Sequence, residues 1–300
     1  MISGVRSIIG AGALVLLATA CTAVPAAAPA ANSKPGTGGA TSARRTAKPK
    51  PKPAPKPAVP HVTVSQVRVA DGTVVTVAVF HGPVRFVLHN GSLDPGYAAT
   101  EAGVTAGSAV GTAERKQLLA AFNGGFKLSA GAGGYEQEGH VISPLLTGYA
   151  SLIIDRSGQA RIALWGYGAP APGEAVYSVR QNLQLLVEHG QPTQAAADWY
   201  AWGATLGGGE DVARSALGQD AAGDLLFAGS MSASPQDMAQ ALVDRGARIG
   251  MELDINPEWV QLDVAGHPGG PLQAEVPGQD RPADQYLWGW SRDFITVLAG

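Results

Sequence analysis

Cysteine is nearly absent from this sequence: of 300 residues only Cys21 is one. Everything downstream of it is therefore without disulfides, a thiol nucleophile or a thiolate metal site, and is held by packing alone. Lysine is scarce as well, with only Lys116 and Lys127 after residue 60. Residues 61–300 carry thirteen Lys and Arg against twenty-four Asp and Glu, a net charge of −11. Such an acidic segment lacks the basic face that neutralises nucleic-acid phosphates, so no nucleic acid is expected as a partner. Common catalytic signatures are missing too. There is no Gly-x-Ser-x-Gly, no Gly-Lys-Ser/Thr phosphate loop and no His-Glu-x-x-His, and the six histidines have no zinc-like spacing. These absences argue against a serine hydrolase, an NTPase and a zinc protease.

What is present begins with an export signal. Arg6 precedes an apolar run over residues 8–20, the length of a signal-peptide core and too short to span a bilayer as a helix. The run ends Leu17-Ala18-Thr19-Ala20-Cys21, which resembles the lipobox of bacterial lipoproteins, with Ala18 at a place normally taken by Leu. Lipidation of Cys21 would tether the protein to the outer face of the cell membrane. Ala18-Thr19-Ala20 equally satisfies the small-x-small rule for ordinary secretion, and retention by the membrane distinguishes the two. Residues 22–60 contain nine prolines among Ala, Gly, Thr and Lys and hold almost no large apolar side chain, so they read as a disordered spacer. At roughly 3.1 Å per residue for a Pro-rich tract, residues 48–60 alone reach on the order of 40 Å, enough for passage into a cell wall. One domain is expected over residues 61–300, with room for two lobes, and as a monomer.

Within that domain the pattern predicts an α+β fold of mixed, largely antiparallel sheets with few helices. Residues 62–69, 73–80 and 84–88 are β-rich runs around Asp71-Gly72 and read as an opening meander. Residues 151–154 with 161–165, and 212–217 with 225–228, read as hairpins. Ser234-Pro235-Gln236-Asp237 caps a helix carrying Met238, Leu242 and Val243 and stopped by Gly246. A second helix is expected from near Thr112 through Leu118 and Leu119. After each helix a short strand, 120–122 and 248–253, runs into the most unusual polar sequence of the chain.

Those polar segments are the candidates for chemistry. Asn123-Gly124-Gly125 allows close backbone approach and offers an amide that donates and accepts at once. Asn182 lies in a second polar segment, Gln181-Asn182-Leu183, ahead of residues 185–190. Arg214 stands in a strand with few charged neighbours, where a planar guanidinium either grips a carboxylate or phosphate ligand or pairs with an internal acid. Glu252 and Asp254, two apart, share one face if the strand continues, with Asn256 next in the row; adjacent carboxyls raise one pKa and can furnish acid beside base. Oxygens at this spacing also suit Ca²⁺, but Trp259 stands where an EF-hand loop needs glycine, so no cofactor is expected. Six tryptophans are mostly core by expectation, with Trp202, in an aromatic cluster ahead of Arg214, the exception assigned to a sugar.

Taken in order, these segments resemble the phosphodiester glycosidase family, over roughly residues 75–300. Ala121-Phe122-Asn123-Gly124-Gly125-Phe126 is similar to its Asn-Gly-Gly-Phe-Phe motif. Leu185-Leu186-Val187-Glu188-His189-Gly190 resembles its Leu-Val-x-x-Gly segment, and Arg214-Ser215-Ala216-Leu217-Gly218 its Pro-Arg-Thr-Ala-x-Gly. Leu253-Asp254 is similar to part of its Asn-Leu-Asp-Gly-Gly-Gly-Ser loop, with Glu252 in place of Asn and Ile255-Asn256-Pro257-Glu258 in place of the glycine-rich turn. The resemblance implies hydrolysis of a sugar-1-phosphodiester or related bond. Arg214 would hold phosphate, Asn123, Gly124 and Gly125 would orient oxygens, and Asp254 with Glu252 would supply acid or base. Two rivals stand beside the enzyme: a surface module binding wall glycans or polyanionic polymers without turnover, and a structural lipoprotein in which Glu252 and Asp254 are closed to solvent.

Overall fold

The computed structural model describes residues 59–203 and 208–300; the signal segment, Cys21 and the spacer lie outside the described residues. Among the described residues, runs of Val, Ile, Leu and Phe form seventeen strands in three sheets, and every pairing between these strands is antiparallel. The expected α+β character resolves into a mainly β fold: the longest helix has ten residues and the other α-helices four to six. Among the described residues no helix is long and apolar enough to cross a membrane.

The seven-stranded sheet runs in the order His61–Arg68, Val74–His81, Leu225–Ala233, Val212–Asp220, Ala247–Glu252, Leu185–Glu188, Gln191–Pro192. A five-stranded sheet orders Leu272–Ala274, Leu262–Ala265, Leu118–Asn123, Phe294–Ala299, Val84–His89. The other five-stranded sheet orders His140–Ser143, Tyr135–Gln137, Ser178–Gln181, Ala150–Ile154, Ala160–Leu164. Both expected hairpins are present. The opening meander is not continuous, because the third run leaves its neighbours after Pro83, which has no N–H for a ladder, and pairs with the C-terminal strand from Val84 opposite Ala299 to His89 opposite Phe294. Nor does the helix at Thr112 extend to Leu118: it stops at Arg115, and Leu118–Asn123 is a fully buried strand with partners on both sides. Two flanking ladders outweigh the high intrinsic helix propensity of Leu and Ala.

The helix Pro235–Asp244 is built as its sequence predicts. Ser234 Oγ accepts from the Asp237 N–H at 3.1 Å, and Asp237 Oδ2 accepts from the Ser234 N–H at 3.0 Å, a reciprocal cap. Its Met238, Ala239, Ala241 and Leu242 bury against Val75, Val77 and Leu226 on one face of the large sheet. The opposite face joins all three sheets in one core, where Phe122 of the second sheet stacks on Phe80 and tilts onto Phe227 of the first, at ring-centre distances of 5.6 and 5.3 Å, and Tyr135 and Leu152 enter from the third. This junction brings the C-terminal ends of Leu118–Asn123, Ser178–Gln181 and Ala247–Glu252 to the start of Phe294–Ala299, and the candidate site lies in the loops they feed.

Candidate active site

The large sheet contributes an enclosed ion pair. A register shift between Val212 and Arg214 in the ladder with Leu225–Ala233 marks a bulge, a device that re-aims side chains. Arg214 is completely buried. Its Nη1 donates to Glu252 Oε1 at 2.7 Å, its Nε to the Ala233 carbonyl at 2.9 Å and its Nη2 to the Glu210 carbonyl at 3.2 Å. Of the two readings of this arginine, the structure shows the internal pair, with no guanidinium surface left open to an anion. Glu252 ends its strand and Asp254 lies beyond it, so the expected row of carboxylates divides: one is closed against Arg214, the other reaches a pocket.

The Asn-Gly-Gly turn serves packing. Asn123 Nδ2 donates to Ser215 Oγ and to the Gly124 carbonyl, both at 2.8 Å, and its Oδ1 accepts from the Gln261 N–H at 3.1 Å. Gly124 is where the Arg292-Asp293 segment crosses: a Cβ there would lie 2.1 Å from Asp293 Oδ2, so no other residue fits. Gly125 lies against the guanidinium of Arg180, whose Nε donates to Asp293 Oδ2 at 2.7 Å and whose Nη2 bonds the Phe126 carbonyl. Asn182, also buried, accepts from the Phe126 N–H at 3.1 Å and donates to the Glu252 carbonyl at 3.0 Å. These residues lie together, but where substrate contacts were expected of Asn123, Gly124, Gly125 and Asn182, the side-chain amides bond to the protein itself.

Asp254 is the carboxyl that meets open space. It lines a pocket of about 390 Å³ with Phe126, Lys127, Leu183, Asn256 and Trp259. Its Oδ1 accepts from the Ile255 and Asn256 N–H groups at 2.8 and 2.9 Å, while Oδ2 faces Arg292 Nη2 at 3.8 Å. Burial pushes its carboxyl up to about 7 against the pull of Arg292 and the two N–H groups. Arg292 is itself placed by the Gly125 carbonyl at 2.8 Å, by Asp94 at 2.8 Å and by the face of Trp259 at 4.4 Å. Lys127 Nζ sits 5.0 Å from the centre of the same indole, and among the described residues no carboxylate pairs with it. Leu183 holds φ at +50° on the pocket wall, fixed by hydrogen bonds to Ala132 and from Ala150; a left-handed bulky residue is strain of the kind found at sites. Asn256 Oδ1 accepts from the Glu258 N–H at 2.9 Å, shaping the turn.

Trp202, assigned to a sugar by its sequence context, lies in the core with no exposed surface, its Nε1 donating to the Ala195 carbonyl at 2.8 Å. The pocket indole is Trp259. Sequence reasoning also passed over Arg180, Arg292 and Asp293. Arg180 stands in Ser178-Val179-Arg180-Gln181, a short strand with one apolar residue, and Arg292-Asp293 reads locally as an ordinary opposite-charge pair, so neither carries a local signal. Among the described residues no group of three His, Cys, Asp or Glu side chains is placed to hold a metal ion.

Asp263 is lifted as well: burial raises it to about 8, its oxygens accepting only the amides of Gln261 and Gln279 at 2.6 and 2.9 Å, while at Glu252 burial pushes upward against the pull of Arg214. At Asp254 and Asp263 the folded state holds its proton at a pH where the unfolded chain has released it, so stability falls as pH rises from about 4 to 8. Thermal unfolding is expected at a higher temperature at pH 5.5 than at pH 8, with Asp263→Asn shrinking the difference; a Tm that rises across this interval would contradict the assignment.

No family model and no curated protein matches the chain. Solved structures do. The catalytic domain of zebrafish N-acetylglucosamine-1-phosphodiester alpha-N-acetylglucosaminidase, auto-inhibited by its pro-peptide, aligns over 82% of this chain and 85% of its own at 14% identity, with a TM-score of 0.51. A hypothetical protein from Synechocystis aligns over 80% of this chain and 62% of its own, at 14% identity and a TM-score of 0.47. At this level of identity the likeness is one of fold, and it places this chain in the same fold as a glycosidase catalytic domain.

Proposed function

We propose that the chain is an exported hydrolase that cleaves the glycosidic bond of a sugar-1-phosphodiester in envelope polysaccharide, tethered outside the cell through Cys21. The observation that supports this reading is Asp254: a carboxyl titrating near 7, in a pocket large enough for a sugar, beside an unpaired lysine. The sugar lies in the pocket against Phe126 and Trp259, and Lys127 faces the phosphate. Water attacks the anomeric carbon, Asp254 takes its proton, and the C1–O bond breaks with its electron pair going to the phosphate. A phosphate monoester has a second pKa of about 6 and departs without help from an acid, so one carboxylate acting as base suffices. Arg292 keeps that carboxylate oriented, and Arg214 with Glu252 holds the loop that carries it.

The full chain should hydrolyse a panel of UDP-linked and chromogenic N-acetylglucosamine phosphodiesters, with kcat/KM climbing through pH 7 to a plateau as Asp254 ionises. A profile that falls through the same range would remove Asp254 as base. The binding-module reading draws on the enclosure of Glu252, which leaves a single carboxyl in the pocket; it predicts saturable binding of the same compounds with no turnover.

A further inference from the structure

A pocket of about 480 Å³ shares no lining residue with the Asp254 pocket. We infer that it binds a singly charged organic carboxylate, the uronic acid unit of an acidic glycan, on the guanidinium groups of Arg85 and Arg156. It lies where the turn at residues 155–158 crosses the free edge of the strand Val84–His89. The Phe86 N–H donates to the Gly158 carbonyl at 2.8 Å, and a Cβ on Gly158 would stand 2.8 Å from that of Arg85. This close crossing sets both arginines on one cavity.

The charges of its wall divide into engaged and free. Glu114 Oε1 meets His89 Nε2 at 3.2 Å and accepts from Thr296 Oγ1 at 3.3 Å, and Glu138 accepts from the Thr105 and Ala106 N–H groups at 2.9 and 2.7 Å. Asp155 accepts from the Ser157 and Gln159 N–H groups at 2.8 and 2.9 Å. All three acids are thus held by the protein. The cations are not: Arg85 bonds Gln117 Oε1 through Nη2 at 2.6 Å, Arg156 lies over the Tyr177 ring at 4.6 Å, and among the described residues no carboxylate pairs with either. In a domain of net charge −11, two arginines left without an acid on one pocket point to an acid brought by the ligand. The three wall carboxylates repel a doubly charged phosphate more than a singly charged carboxylate, which the guanidinium fork grips equally well. The Gln117 amide N–H groups and the Ser178 hydroxyl proton remain to donate to ring hydroxyls. The sugar ring rests on the envelope-polysaccharide reading; the carboxylate does not.

The test is binding of glucuronate to the full chain by calorimetry, against glucose, acetate and glucose 6-phosphate, with Arg85→Gln and Arg156→Gln. Glucuronate should bind better than glucose or acetate, and each variant should weaken it about tenfold, the loss of one charged contact. Equal binding of glucose or acetate, indifference of glucuronate to both variants, or tighter binding of glucose 6-phosphate that the same variants abolish would overturn the site. Arg156 is exposed, so its variant carries the test even where Arg85→Gln lowers the unfolding temperature. Neither arginine lines the Asp254 pocket, so any turnover of the phosphodiester panel should be the same in both variants. Because the readout is binding alone, a chain that takes glucuronate but hydrolyses nothing keeps this site and loses the hydrolase, and the reverse result loses this site alone.

Discussion

Asp254→Asn should lower kcat by about 10²–10⁴, the usual worth of a positioned general base, while the protein folds normally. The amide oxygen can still accept from the Ile255 and Asn256 N–H groups that hold Oδ1, so the loop keeps its shape and only the proton acceptor is lost. The same substitution removes a desolvated carboxylate, and the variant should unfold at an equal or higher temperature above pH 7. Stability gained where activity is lost is the expected signature of a site that holds a group in an unfavourable state for chemistry. Turnover by the variant within a few-fold of the parent on the phosphodiester panel would mean that another group accepts the proton.

Arg214→Met should destabilise the domain by about 3–5 kcal/mol, because it strips the partner from a buried Glu252 and frees the Ala233 and Glu210 carbonyls. For a domain of this size that amounts to a fall in Tm of roughly 10 °C. Adding Glu252→Met should restore most of it, since two apolar side chains of similar volume replace a costly buried pair. If Arg214 instead met the substrate's phosphate, the single variant would raise KM and leave Tm nearly unchanged. Thermal melts of both variants beside steady-state kinetics separate the two roles.

Much of this fold could be read from local sequence. The capped helix at Ser234 and the hairpins around residues 155–159 and 221–224 are specified by neighbours a few residues apart, and they stand where the sequence puts them. The errors came from distant partners. Leu118-Leu119-Ala120-Ala121-Phe122 is a plausible helix by itself and becomes a strand only because Leu262–Ala265 and Phe294–Ala299 flank it. The site shows the same division. Asp254 was legible from its unusual run of polar residues after an apolar strand. Trp259, Arg180, Arg292 and Asp293 were not, since nothing within a few residues of them distinguishes a pocket wall from an ordinary surface or core, and the burial of Trp202 is decided by Ala195 and the core beneath it.

The Arg292-Asp293 step draws together segments far apart along the chain, with Gly125 and Arg292 separated by 167 residues and Arg180 and Asp293 by 113. Closing loops of that length is entropically unfavourable until most of the sheet framework exists to reward it. The setting of Asp254 is thus a property of the completed topology rather than of any one hairpin. A partly folded chain can carry the pocket's loop and its acid, yet it has no cation to orient that acid until the final strand is seated.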